Sequence, residues 1–176
     1  MDHIRFDEVP AADDSGLLVG LVSDTHRLLR EQACRALAGV DVILHAGDVG
    51  AAEVIEALAQ IAPTYAIRGN IDVAPWADAL PKSASIRLGA LDLFMLHNVK
   101  ELDFDPGLAG YAVVVSGHSH KPLMERRDGV LFINPGSIGP RRFKLPVTMA
   151  RLRVRDAALE TDWIELEIPG QQSCPA

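Results

Sequence analysis

The chain predicts an α/β fold of two packed sheets with helices outside them. Three observations carry this. Strand-like and helix-like patterns alternate from Leu17 to Ile67. Beyond Ile86 the pattern changes to paired strands joined by turn residues. Apolar residues make up 48% of 176 residues, enough for a sizeable core in one domain. Aromatics are only 5%, so Ala, Val, Leu and Ile must fill that core.

Each element follows from its own residues. Residues 1–16 are polar and acidic and predict a flexible extension, with His3 idle in it. Leu17 to Val22 is a continuous apolar run of strand length, which predicts a strand buried on both faces. Leu28 to Leu37 has helical spacing, with Gly39 as its stop. Val40 to Leu44 is the next strand, Ala51 to Ile61 the next helix, and Thr64 to Ile67 a third strand. This β-α-β-α-β order predicts parallel strands with right-handed crossovers. Ile86–Leu88 and Leu91–Leu96 predict a hairpin about Gly89-Ala90, and Tyr111–Ser116 a buried strand. Pro122–Arg126 and Val130–Ile133 flank Asp128-Gly129, a strong hairpin signal. Pro146–Val154 and Ala158–Ile168 alternate like half-exposed strands turning near Asp156. The domain is expected over residues 17–168, with a disordered tail over 169–176.

Composition narrows the function. A net charge of −7 argues against a general nucleic-acid surface, which would be basic. It leaves room for a small nucleotide-like substrate, because bound cations change the local sign. Cys34 and Cys174 form no CxxC and no disulfide framework, which points to a reducing, cytoplasmic setting. No signal-like segment and no bilayer-length apolar run is seen, so no membrane partner is expected. Homo-oligomer formation is left open.

Four motifs share one chemistry: Asp24-Thr25-His26, Gly47-Asp48-Val49, Gly69-Asn70-Ile71-Asp72 and Gly117-His118-Ser119-His120. Each ends or follows a predicted strand, and in such sheets the loops at the carboxyl ends of the strands build the site. With His97, after Leu93–Leu96, they supply seven candidate metal ligands: Asp24, His26, Asp48, Asn70, His97, His118 and His120. Seven protein ligands are too many for one small cation and suit two. Two metals about 3.5–4 Å apart clamp a phosphoryl group and generate a hydroxide nucleophile. Imidazole mixed with carboxylate suits Mn, Fe, Co, Ni or Zn better than Ca, with Mn the leading expectation.

The ordered set Asp-x-His, Gly-Asp, Gly-Asn, His, Gly-His-x-His resembles the calcineurin-like metallophosphoesterases. Within them it is most similar to the small single-domain phosphodiesterases related to the retromer subunit of the same fold. The resemblance runs from about Leu17 to Glu165. It implies a four-layer α/β/β/α sandwich of two mixed sheets with flanking helices. It also implies that Asp24, His26, Asp48 and His120 hold one metal, and that Asp48, Asn70, His97 and His118 hold the other, with Asp48 bridging. His118 and His120, two residues apart, would point to one side of an extended strand.

Two departures from the family stand out. Many members carry His after Gly-Asn, where it can protonate a leaving group; here that residue is Ile71. Members often have a Gly-His pair after the position of His97; here Asn98 and Val99 stand instead, and Val99 cannot hold a phosphate oxygen.

Other residues carry a plain reading beside the functional one. His45 is expected to be structural rather than an eighth ligand, and Arg68 to support its loop. Asn134-Pro135-Gly136-Ser137 is either a turn or a segment that reaches substrate through Ser137. Arg141 and Arg142 either bind phosphate, with Arg141 the candidate, or form a solvated pair. No G-x-S-x-G elbow surrounds Ser119, and no G-x-G-x-x-G opens the first strand. The expected activity is metal-dependent hydrolysis of a small phosphodiester by a metal-bound hydroxide. The expected catalytic groups are Asp24, Asp48, Asn70 and His97, with Asn70, Ser137 and Arg141 on the substrate. The rival is a weak or inactive protein-binding scaffold on the same fold.

Overall fold

A computed structural model describes residues 2–7, 9 and 16–168. The expected tail over 169–176, with Cys174, lies outside the described residues. Two mixed sheets face each other across a common core. The five-stranded sheet holds β2 (Leu17–Val22), β3 (Val42–His45), β4 (Thr64–Ala66), β10 (Thr148–Arg155) and β11 (Ala158–Glu165), in the order β11-β10-β2-β3-β4. The six-stranded sheet holds β1 (His3–Phe6), β5 (Ser83–Leu88), β6 (Leu91–Leu96), β7 (Tyr111–Val115), β8 (Leu123–Arg127) and β9 (Val130–Asn134), in the order β1-β5-β6-β7-β9-β8.

The predicted β-α-β-α-β unit is present: β2 pairs parallel with β3, and β3 with β4. The three predicted hairpins, β5–β6, β8–β9 and β10–β11, are antiparallel pairs. At Asp128-Gly129 both residues take positive φ, 49° and 87°, as a tight right-twisting hairpin requires. Leu17, Val19, Leu21, Leu44, Ile86, Leu93, Met95, Val115 and Ile133 meet between the sheets. Each fully buried Leu, Ile or Val there is worth ~1.5–3 kcal/mol over exposure. That is how a core with so few aromatics holds.

Helices α1 (Glu31–Ala36) and α2 (Ala52–Ala59) cover the outer face of the five-stranded sheet through Ala33, Leu37, Val54 and Leu58. On the other outer face, Phe94, Leu96, Val114 and Phe132 are covered by a 3₁₀ turn at Val99–Glu101 and by Leu102 and Tyr111. The fourth layer is therefore thin. Helix α1 starts three residues later than its apolar pattern. His26 and Arg27 take positive φ, and Leu28 N–H closes a turn onto Thr25 C=O at 2.8 Å. The ligand loop consumes the first turn of the pattern.

The expectation of a flexible extension fails at His3–Phe6. This segment adds β1 to the edge of β5 in parallel, His3 opposite Ser83 and Phe6 opposite Ile86. Ile4 and Phe6 pack against the inter-sheet core. His3 is not idle: its ring nitrogens lie 2.9 Å from Ser83 Oγ and 3.1 Å from Ser85 Oγ, and the ring stacks on Phe94. An open sheet edge supplies the hydrogen bonds that four residues cannot supply to themselves.

Candidate metal centre

Loops at the carboxyl ends of β2, β3 and β4 in one sheet and of β6 and β7 in the other converge at one end of the sandwich. They are laced together by backbone. Asp24 N–H donates to Gly47 C=O at 3.0 Å, and His26 N–H to Asp48 C=O at 3.0 Å. Asp24, His26, Asp48, His118 and His120 all take left-handed φ, between 46° and 68°. Non-glycine residues are uncommon there and persist where the surroundings hold them, most often at functional sites. The motif glycines make room for ligands of other loops. A Cβ on Gly69 would lie 2.2 Å from Asp48 Oδ1, and one on Gly117 would lie 1.9 Å from Ser23 Oγ.

The geometry brings five of the seven candidates into one cluster, all buried but part-buried His26. Potential ligand atoms of Asp24, His26 and His120 lie within 4.8 Å of one another, as do those of Asp24, Asp48 and His97. His120 Nε2 is 3.2 Å from Asp24 Oδ1, and His97 Nε2 is 3.3 Å from Asp48 Oδ1. Asp24 Oδ1 and His97 Nε2 are nonetheless buried without a hydrogen bond, as is His120 Nδ1. Buried polar atoms rarely lack a partner. The opposite ends of Asp24 and His97 are anchored. Asp24 Oδ2 accepts from Ser23 Oγ at 2.6 Å and from His118 N–H at 3.1 Å. His97 Nδ1 donates to Ala46 C=O at 2.7 Å. This is how metal-ligating histidines are held, with the second nitrogen on a carbonyl and the first turned inward. The donors present thus fit divalent cations.

His118 and Asn70 sit at the rim, both exposed. The His118 ring stands edge-on to His97 at 5.3 Å, whereas His120 stacks against His26 at 5.2 Å. The two histidines therefore serve opposite sides, and the expectation that they point together is corrected. Strand β7 ends at Val115, so strand alternation does not reach them.

Electrostatics agree with this arrangement. Burial alone would raise the Asp48 carboxyl, but His97, Ile71 N–H and His26 outweigh it and hold Asp48 down to about 2. Burial would lower His97, and the Asp48 carboxylate and Ala46 carbonyl overcome it and raise His97 above its ordinary value. Burial, with Arg142 alongside, draws His26 below its ordinary value. His45 is structural, as expected. Gly47 N–H donates to its Nδ1, so Nε2 carries the proton toward Thr25 Oγ1 at 2.9 Å, and burial lowers it to about 4.

Several expectations change. Ser137 is buried, donates to Asp24 C=O at 2.9 Å and accepts from Gly139 N–H at 3.3 Å, so its hydroxyl braces the Asp24 loop. Arg141 Nε donates to Leu145 C=O at 3.0 Å within its own loop. Its neighbour Arg142 is the arginine that reaches the centre, with Nη2 3.1 Å from His26 Nε2. The Arg68 backbone N–H donates to Pro81 C=O at 2.9 Å, and its side chain lies 3.8 Å from Asp78. Two supporting residues were missed. Asp72 accepts three backbone N–H groups, from Gly69, Val49 and Gly50, and staples the Gly-Asp loop to the Gly-Asn loop. Asn134 donates to Gly117 C=O at 2.6 Å and braces the His118–His120 loop. The only sequence signal for either was its place inside a motif.

Residues 17–157 match the calcineurin-like phosphoesterase superfamily domain. The chain belongs to this family. It is 27% identical over 165 residues to a protein called a probable metallophosphoesterase from Methanothermobacter thermautotrophicus, covering 87% of this chain and 95% of the relative. It is 30% identical over 142 residues to a phosphodiesterase from Methanocaldococcus jannaschii, covering 67% of this chain and 82% of the relative. Vacuolar protein sorting 29 from Cryptosporidium parvum shares the fold, with a TM-score of 0.67 at 22% identity, covering 88% of this chain and all of that one. As a member of this family the chain is a metal-dependent phosphoesterase. Among the described residues no helix is long and apolar enough to cross a membrane.

Proposed function

We propose that this family member hydrolyses small, nucleotide-like phosphodiesters at a dinuclear centre. Asp24, His26, Asp48 and His120 hold one ion, and Asp48, Asn70, His97 and His118 the other. One observation carries the reading. The two oxygens of Asp48 face opposite histidines, Oδ1 toward His97 at 3.3 Å and Oδ2 toward His26 at 3.6 Å. One carboxylate can serve two cations in that way.

Two divalent ions, Mn first among the candidates, supply Lewis acidity to the phosphate and an acidified water. The chain's residues supply position. The Ala46 carbonyl fixes the tautomer of His97, while Ser23 and the His118 amide leave one oxygen of Asp24 free for the centre. Arg142 is placed to take a phosphate oxygen through its planar fork of donors. Ile71 gives its N–H to Asp48 at 3.1 Å and presents an exposed apolar side chain. It has no proton to offer a departing oxygen, which favours diesters with good leaving groups. Cys34 forms no disulfide among the described residues, which suits a cytoplasmic setting.

The deciding experiment is turnover of bis-p-nitrophenyl phosphate by purified protein with added Mn²⁺. Metal-dependent release of p-nitrophenolate supports the proposal. Full metal occupancy without turnover would favour the scaffold reading, which draws on the fold shared with vacuolar protein sorting 29.

A further inference from the structure

A cavity of about 350 Å³ opens directly beside the centre, with Asn70 and His97 in its wall. Its far side is aromatic. Phe94 on β6 and Phe104 in the following loop meet edge to face, with centroids 5.0 Å apart. Tyr111 completes the cluster, 5.2 Å from Phe94 and 6.0 Å from Phe104. The chain has only 9 Phe, Tyr and Trp residues, and two of them, Phe94 and Phe104, line this cavity. Phe94 is buried, held from behind by stacking on His3, but Phe104 is 37% exposed. Arg68 and Lys82 also stand in the wall, together with Glu101 and Asp103. Part-buried Arg68 pairs with exposed Asp78 at 3.8 Å, and exposed Lys82 pairs with Asp2 at 2.9 Å. Such pairs are weak and easily exchanged for a ligand's polar groups.

A phosphodiester held at the centre has two substituents, and this cavity, with Asn70 and His97 in its wall, offers room to one of them. The cavity is of the size that holds small organic ligands. Aromatic faces with adjacent cations accept a flat, polar-edged ring better than an alkyl chain. Resting on the phosphodiesterase reading above, we infer that this cavity is a specificity pocket for the nucleoside of a nucleoside phosphodiester. Phe104 is its stacking residue.

The test compares kcat/KM, with Mn²⁺, for the p-nitrophenyl esters of thymidine 5′-phosphate and of methyl phosphate. Stacking of a base on an aromatic side chain is worth roughly 5- to 150-fold on alanine substitution. Wild type is expected to prefer the thymidine ester by about tenfold or more. Phe104→Ala should remove most of that preference and leave the methyl ester rate near wild type, while Phe104→Trp keeps the preference. Phe143→Ala, on the opposite cavity beside Arg142, should change nothing. No preference in wild type, an undiminished preference in Phe104→Ala, or a loss in Phe143→Ala instead would each overturn the inference. Hydrolysis of the methyl ester alone would leave the phosphodiesterase reading standing without the pocket. If neither ester nor bis-p-nitrophenyl phosphate reacts, that reading fails, and calorimetric binding of thymidine 5′-phosphate against methyl phosphate decides the pocket. Tighter thymidylate binding that is lost in Phe104→Ala supports the pocket; equal binding rejects it.

Discussion

His97 Nε2 and Asp48 Oδ1 face each other at 3.3 Å in the protein interior, and Nε2 makes no hydrogen bond. The proton of His97 is on the other nitrogen, given to the Ala46 carbonyl. An imidazole nitrogen and a carboxylate oxygen are thus aimed at the same space, as two ligands of one cation would be. The other oxygen of Asp48 makes the corresponding approach to His26.

Asp48→Ala should therefore empty both metal positions together, whereas Asn70→Ala at the rim should weaken one. Mass spectrometry of metal content on the purified variants reads this directly. Two ions per chain in Asp48→Ala would reject the shared carboxylate.

Chelation should abolish turnover, and Mn²⁺ or a similar ion should restore it, because neutral-pH water is too weak a nucleophile without acidification. The same dialysed sample should lose thermal stability, since a ligand that binds only the native state stabilises it. Undiminished turnover after exhaustive EDTA dialysis would exclude the proposed mechanism.

Ile71 predicts a steep dependence of rate on leaving-group pKa in a series of aryl diesters. A positioned acid is typically worth about 10²–10⁴-fold. Ile71→His should regain part of this for poor leaving groups and little for p-nitrophenolate. The neighbouring Asp72 will not orient the new imidazole, because three backbone N–H groups occupy it. A flat dependence in wild type with chemistry rate-limiting would mean that another group supplies the proton.

Asp72→Ala should destabilise the fold through the same three contacts. Unsatisfied buried donors cost about 1–3 kcal/mol each, so a loss of at least ~2 kcal/mol is expected in urea unfolding. Metal affinity should fall too, because the loops carrying Asp48 and Asn70 come unstapled. A loss below ~0.5 kcal/mol, the usual range for a surface change, would show that the staple is dispensable.

His45 predicts acid sensitivity of the metal-free protein. Its ordinary value is 6.5 and burial lowers it to about 4 in the fold. Below pH 6.5 the unfolded chain takes the proton and the folded chain does not. Stability is therefore full above pH 6.5 and is lost as pH falls toward 4. The slope is at most about 1.4 kcal/mol per pH unit from this one group. His45→Gln should flatten that part of the stability–pH curve; an unchanged slope would remove His45 as its source.

The order of elements was legible in the sequence because its causes are local. Continuous apolar runs made β2 and β7, and Asp128-Gly129 made the β8–β9 hairpin. The ligand motifs were legible for a related reason: each sits where a strand ends, and strand ends at one end of the sandwich meet. What stayed hidden depended on partners distant in sequence. The pattern at His3–Phe6 is too short to be a strand alone and becomes one only on the edge of β5, 80 residues away. Ser137 looked free until its hydroxyl met Asp24 C=O, and Arg142 rather than Arg141 faced His26 only once loop 140–145 had closed. Residue types and their local periodicity decide which chemistry is available. Which lone pair remains unshared, and which side chain becomes a brace, is decided by tertiary packing, because buried hydrogen-bonding groups must find partners wherever the fold brings them.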